Sequence, residues 1–132
     1  KQLAPLAGQA VEIAGSYPVV AGDTAAQLRA ALGGENEEWE TLYPEFARVA
    51  REEGFGEIAH VFEMVAKVEK EHAARFARLL DHVVNGTVFE RAGKIYWRCR
   101  NCGHIHEGTK APAECPVCHH PRAYFEPVGE NF

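Results

Sequence analysis

Cysteine is missing from the first 98 residues of this 132-residue chain and then occurs four times. That distribution excludes the scattered spacing of a secreted disulfide framework, and no cysteine is left over. A reducing compartment, the cytoplasm, with metal-bound thiolates is therefore expected. No stretch approaches the roughly 20 apolar residues that cross a bilayer, and the amino terminus lacks a charged-then-apolar signal pattern, so no membrane partner is expected. Lysine and arginine form no cluster and the net charge is −5. Nucleic acid is thereby excluded, because phosphate binding needs a positive footprint. An initiating methionine is absent too: the chain starts at Lys1, and KQLAPLAGQ reads as the end of a helix running into a glycine stop.

What is present divides the chain into unequal parts. Residues 1–22 read as the end of a preceding helix followed by an extended connector, since QAVEIAGSYPVVAG mixes β-branched residues with Gly and Pro and has no helical period. Asp23-Thr24 offers an N-cap, and a long helix is predicted from there to Gly54. Gly33-Gly34 weakens its middle, and Pro44 cannot donate to the residue-40 carbonyl, which predicts a kink. Phe55-Gly56 reads as a tight turn into a second helix ending at Gly86, and so short a connection makes the helices antiparallel. From Thr87 onward TVFERAGKIYWRC suggests a β-hairpin leading into the first cysteine pair. The expected class is mainly α with a small β metal domain: a helical hairpin over 23–86 and a metal domain over 87–132.

Each helix carries polar residues where its apolar stripe needs large hydrophobics. On the second helix the stripe runs Ile58, Phe62, Val65, Glu69, His72, Phe76, Leu79 and Val83; on the first, Leu28, Ala31, Glu35, Glu38, Leu42, Phe46 and Val49. Ionised carboxylates buried without partners cost several kcal/mol each, roughly, so they must be paired, protonated or bound to cations. An isolated glutamate on such a stripe is usually an edge residue with its head in water. Two such sets at matching depth on antiparallel helices are instead the ligand types of a di-iron or di-manganese carboxylate site. That site takes a Glu from each of two helices and a Glu-x-x-His from each of two others, so this chain offers half of it. Either two copies meet to complete a four-helix core, or a complementing helix pair precedes Lys1; the helix-like start favours the second.

Cys99, Cys102, Cys115 and Cys118 form C-x-x-C, twelve residues, C-x-x-C, the spacing of a tetrahedral four-thiolate site. Zinc and iron both accept that geometry. Zinc would make the module a structural ribbon, and iron a one-electron carrier. Tyr96, Trp97, Tyr124 and Phe125 are its expected mini-core, and His104, His106, His119 and His120 are expected to be exposed loop residues.

Together GENEEWETLYPEFARVAREEGF, VEKEHAARF and WRCRNCGHIHEGTKAPAECPVCHHPRAYFE resemble the rubrerythrin family, from about residue 9 to the end. The resemblance implies the second half of a ferritin-like four-helix bundle followed by a rubredoxin-like domain. It implies iron at the four cysteines, Glu35, Glu69 and His72 as di-iron ligands, Glu38 as an additional carboxylate and Tyr43 as a tyrosine hydrogen-bonded beside the site; zinc is possible at either site. The implied activity is reduction of hydrogen peroxide to water, with electrons from a reduced donor protein passing through the rubredoxin-type centre. A head-to-tail homodimer is also implied. The alternatives are a ferroxidase or iron-handling protein on the same bundle, and a non-enzymatic zinc-ribbon adaptor.

Overall fold

The computed structural model describes residues 7–10, 12 and 14–129, so most of the expected helix end at residues 1–8 lies outside the described residues. Residues 14–21 form neither helix nor strand and are exposed, as a connector should be. The chain then folds into two compact units, one ending at Leu80 and the other starting at Asp81.

In the first unit α1 (Thr24–Glu37) starts where the Asp23 carboxylate accepts the Ala26 N–H at 2.7 Å. This satisfies one of the four amide donors that a helix start leaves free. Gly33 and Gly34 do not interrupt α1. The kink expected at Pro44 is instead a π-helical turn, Glu38–Leu42, in which the Tyr43 N–H reaches back to the Glu38 carbonyl. A wider turn accommodates a residue without an N–H, and Pro44 then sits in the first turn of α2 (Tyr43–Glu52), where no donor is needed.

The turn closing the hairpin also differs from expectation. Gly54, not Gly56, adopts the left-handed conformation, at φ 86°, and Gly56 opens α3 (Gly56–Val84). Phe55 N–H bonds to the Ala50 carbonyl and Gly54 N–H to that of Arg51, the paired bonds of a Schellman stop. The same pattern recurs at Gly86, where Thr87 N–H bonds His82 and Gly86 N–H bonds Val83. His82 Nδ1 lies 2.9 Å from Thr87 Oγ1. These bonds tie the last turn of α3 to the following chain, and the unit boundary falls at Leu80 instead of after Gly86.

The residues fully buried in the hairpin are small: Ala47, Ala50, Ala59 and Ala73. The large stripe residues expected to form its core stay partly open, with Leu42 at 37%, Phe46 at 45% and Leu79 at 43% exposure. Part of the stripe therefore lies open, while Ile58 and Phe62 pack against the alanine cluster and the Phe46 and Phe62 rings meet across the hairpin at 5.5 Å.

The second unit is a three-stranded antiparallel sheet in the order β2-β1-β3: β1 (Glu90–Cys99), β2 (Ile105–Lys110) and β3 (Phe125–Pro127). The hairpin expected within residues 87–99 is instead one long strand whose register shifts between Glu90 and Ile95, around Gly93, and whose hairpin partner lies beyond the first cysteine pair. An irregularity of this kind lets a glycine stay within a strand. Alternation along β1 buries Trp97 and turns Tyr96 outward, 56% exposed. The core is Trp97, Cys99, Ala111, Cys115 and Phe125, with the Trp97 indole N–H donating to the Gly108 carbonyl at 3.0 Å. Tyr124 is excluded from it and packs edge-on against His120, which is half-buried rather than a free loop residue. His106 likewise lies in β2, and only His119 of the four is exposed.

Candidate metal centres

In the helical unit α1 and α3 bring Glu35, Glu69 and His72 together, with one ligand atom from each within 4.8 Å of the others. The i, i+3 spacing puts Glu69 and His72 on one face of α3, and His72 Nδ1 lies 2.6 Å from Glu69 Oε2. Across the hairpin the same nitrogen lies 3.5 Å from Glu35 Oε2. That carboxylate oxygen is buried and has no hydrogen-bond partner. Burial raises the Glu35 pKa above its ordinary value; the neighbouring Glu69 and, less strongly, Glu38 add to the rise, and His72 works against it.

An orphaned carboxylate oxygen facing a second carboxylate and an imidazole is unfavourable for the bare protein and suited to a divalent cation, which would satisfy all three. The residues present thus fit a metal. His72 is about half exposed, and it lines an open cavity of about 450 Å³ with Glu35, Arg75, Phe76 and Leu79.

Glu38 is not brought into this trio. It opens the π-helical turn, and its charge is near enough to raise the pKa of both Glu35 and Tyr43. Tyr43 stands at the other end of that turn, within a cluster formed with Phe46 and Phe62 at ring separations of 5.5–6.1 Å. Its phenol is pushed up by burial, then by Glu38, Glu69 and Glu35, so it keeps its proton well above neutral pH. Phe62, whose ring stacks on Tyr43, was legible only as a stripe residue. Nothing in one sequence marks which stripe residue will wall a site.

In the second unit the four cysteines come from two knuckles built alike. Cys99 N–H bonds the His104 carbonyl and Gly103 N–H the Cys99 carbonyl; Cys115 N–H bonds His120 and His119 N–H bonds Cys115. Gly103 and His119, each following the second cysteine of its pair, both have positive φ, 80° and 57°. The sulfurs of Cys99 and Cys118 are 3.7 Å apart and those of Cys102 and Cys115 3.6 Å. A tetrahedron with metal–sulfur bonds of about 2.3 Å has edges of about 3.8 Å, so the thiolates already sit at coordination distance. Backbone N–H groups of Cys102 and Asn101 lower the Cys99 pKa. At Cys115 burial opposes ionisation, but the N–H groups of Cys118 and Val117 prevail and the thiol falls to about 7. Cys99 and Cys115 are buried and Cys102 is exposed, so the cluster reaches the surface on one side.

Family models match a stretch containing each centre. A family model described as "Rubrerythrin" matches residues 12–80, and one described as "Rubrerythrin, rubredoxin-like domain" matches residues 97–126. A rubrerythrin of Porphyromonas gingivalis is 56% identical over 128 residues, covering 96% of this chain and 64% of the relative. Rubrerythrin-1 of Clostridium acetobutylicum is 50% identical, covering 94% and 64%. A rubrerythrin of Nitratidesulfovibrio vulgaris is 47% identical, covering 96% and 67%. The chain thus spans about two thirds of the length of the curated relatives it matches.

Proposed function

The chain belongs to the rubrerythrin family, and from that premise we propose that it is part of a peroxidase that reduces hydrogen peroxide to water at a di-iron carboxylate site. Proteins of this family bind iron at a di-iron site and at an Fe(Cys)4 site. The observation that carries the reading is the buried, unpartnered Glu35 Oε2 beside Glu69 and His72. A docking surface for an adaptor has no use for such a group.

Glu35, Glu69 and His72 would supply half of the ligands of the metal pair, Glu38 would add a carboxylate, and Cys99, Cys102, Cys115 and Cys118 would hold the single iron. When bound, the irons supply electrons, two from the pair to the O–O bond and one at a time from the cysteine site. Each peroxide takes up two protons with those electrons and leaves as two waters. The carboxylates offset the cationic charge of the pair. Tyr43 Oη, still protonated at neutral pH, can donate a hydrogen bond toward an oxygen at the site. Exposed Cys102 would give a reduced donor protein a surface at which electrons could enter the cysteine site. Head-to-tail association of two chains would bring one chain's cysteine iron to the other's di-iron site. Thiols kept for a metal suit the reducing cytoplasm.

The test is to reduce the iron-loaded chain anaerobically and mix it with peroxide or with oxygen. Faster oxidation by peroxide, lost in Glu69→Ala with the cysteine iron retained, is the expected result. Faster oxidation by oxygen would favour the ferroxidase, and iron confined to the cysteines would leave no di-iron site to do the chemistry.

A further inference from the structure

Outside the two centres, one cation of the second unit stands where no carboxylate balances it. The unit's other lysines and arginines, Lys94, Arg98, Arg100, Lys110 and Arg122, are exposed. Arg91 is partly buried, and among the described residues it forms no ion pair. The carboxylate of its sequence neighbour Glu90 is taken by Lys110, at 3.0 Å. Arg91 Nη1 donates instead to the Thr87 and Glu90 carbonyls, both at 2.7 Å, so the turn that follows α3 fixes the guanidinium in place. Its central carbon lies 5.5 Å from the centre of the Trp97 ring, the distance of a cation–π contact. Trp97 is fully buried and packs in one core with Cys99 and Cys115. A fixed positive charge is thus one aromatic side chain removed from the buried ligands of the four-cysteine cluster.

Iron held by four thiolates gains one negative charge when it takes up an electron, and nearby charge is a lever on its potential. A cation held against a dry core favours the more negative form, and water screens it less than it screens the exposed arginines. Arg91 also lines a cavity of about 370 Å³ with His82 and Glu90, which keeps the effect modest. We propose that Arg91 sets the driving force for electron entry: its charge, pinned against Trp97, raises the reduction potential of the cysteine-held iron. The inference rests on the iron reading of that site above. The step is transfer of one electron from the reduced donor protein, which is oxidised, to ferric iron, which becomes ferrous; no bond or proton is exchanged. A clamp that only ties the start of β1 to the turn after α3 is the alternative, and it predicts no dependence on charge.

The experiment is spectroelectrochemical titration of the iron-loaded chain, following the visible absorption of the cysteine-site iron. Arg91→Gln and Arg91→Met should each weaken electron uptake by about threefold to tenfold, a fall of up to about 59 mV for a one-electron couple. Arg91→Lys should keep most of the parent value, and Lys94→Gln, which removes an exposed cation three residues on, should leave it unchanged. Equal potentials in the parent and Arg91→Gln, with iron bound, would overturn the proposal and leave the iron reading intact. An equal fall in Arg91→Lys or in Lys94→Gln would overturn it too, since the placed charge would not be the cause. Loss of cysteine-site iron from both Arg91→Gln and Arg91→Met would make Arg91 the clamp and overturn the proposal. A parent chain whose cysteines take zinc and no iron would overturn both readings.

Discussion

Replacing Glu35 by glutamine should change stability in opposite directions with and without metal. Burial raises the folded-state pKa of Glu35 above 4.5. The folded chain therefore binds this proton more tightly than the unfolded chain does. The favourable contribution is complete below the unfolded value and is lost as pH climbs through the folded one. At neutral pH the metal-free protein holds an ionised, partly buried carboxylate with an orphaned oxygen. A buried acceptor without a partner costs about 1–3 kcal/mol. The Glu35 side chain is 21% exposed, so solvent screening limits the relief to about 1–1.5 kcal/mol. Glutamine removes the charge, keeps the shape and donates an N–H toward Glu69. Denaturant unfolding followed by helical circular dichroism, with chelator present, should show Glu35→Gln more stable than the parent by about that amount near pH 7 and equal to it near pH 4. With metal at about 100 times its dissociation constant the parent should gain about 2.7 kcal/mol that the variant does not. A variant less stable than the metal-free parent at neutral pH would refute the claim that this carboxylate is poised for a cation.

Cys102→Ser should abolish turnover with a reduced donor while sparing a single discharge of chemically reduced bundle iron, read by stopped-flow absorption; loss of both would mean the whole chain had unfolded. Trp97→Ala removes the largest fully buried side chain and its bond to Gly108, and should cost about 3–5 kcal/mol, seen as loss of the cysteine-site iron absorption at a lower denaturant concentration. Gly103→Ala forces a side chain into the φ 80° conformation and should cost about 1–2 kcal/mol in the same assay; no loss would mean the knuckle relaxes.

The cysteine site was legible almost completely, because its ligands lie close in sequence and two short knuckles admit few geometries. Asp23 and Gly86 were legible for the same local reason. Glu35, Glu69 and His72 were legible as polar interruptions of two apolar stripes, which sets their face and depth. The π-helical turn was not: Pro44 announces that a hydrogen bond must be lost there, but whether the chain bends or widens depends on what it packs against. Stripe reading weights bulk, so it found the Phe46 and Phe62 contact across the hairpin but passed over the alanines buried beside it. Tyr96 and Tyr124 were misplaced because an aromatic-rich stretch says nothing about which of two adjacent residues a strand turns inward; Trp97 and Phe125 take the core.

The alanines act as spacers. Ala47, Ala50, Ala59 and Ala73 are the buried residues of the hairpin, and their single methyl groups fix how near its helices come. The gap across which Glu35 meets Glu69 and His72 is therefore gauged by side chains that coordinate nothing. A bulkier residue at Ala73, next to His72 in sequence and beside Leu32 and Asn36 of α1, would act as a wedge. It would retune which ion the carboxylates can span while leaving every ligand in place.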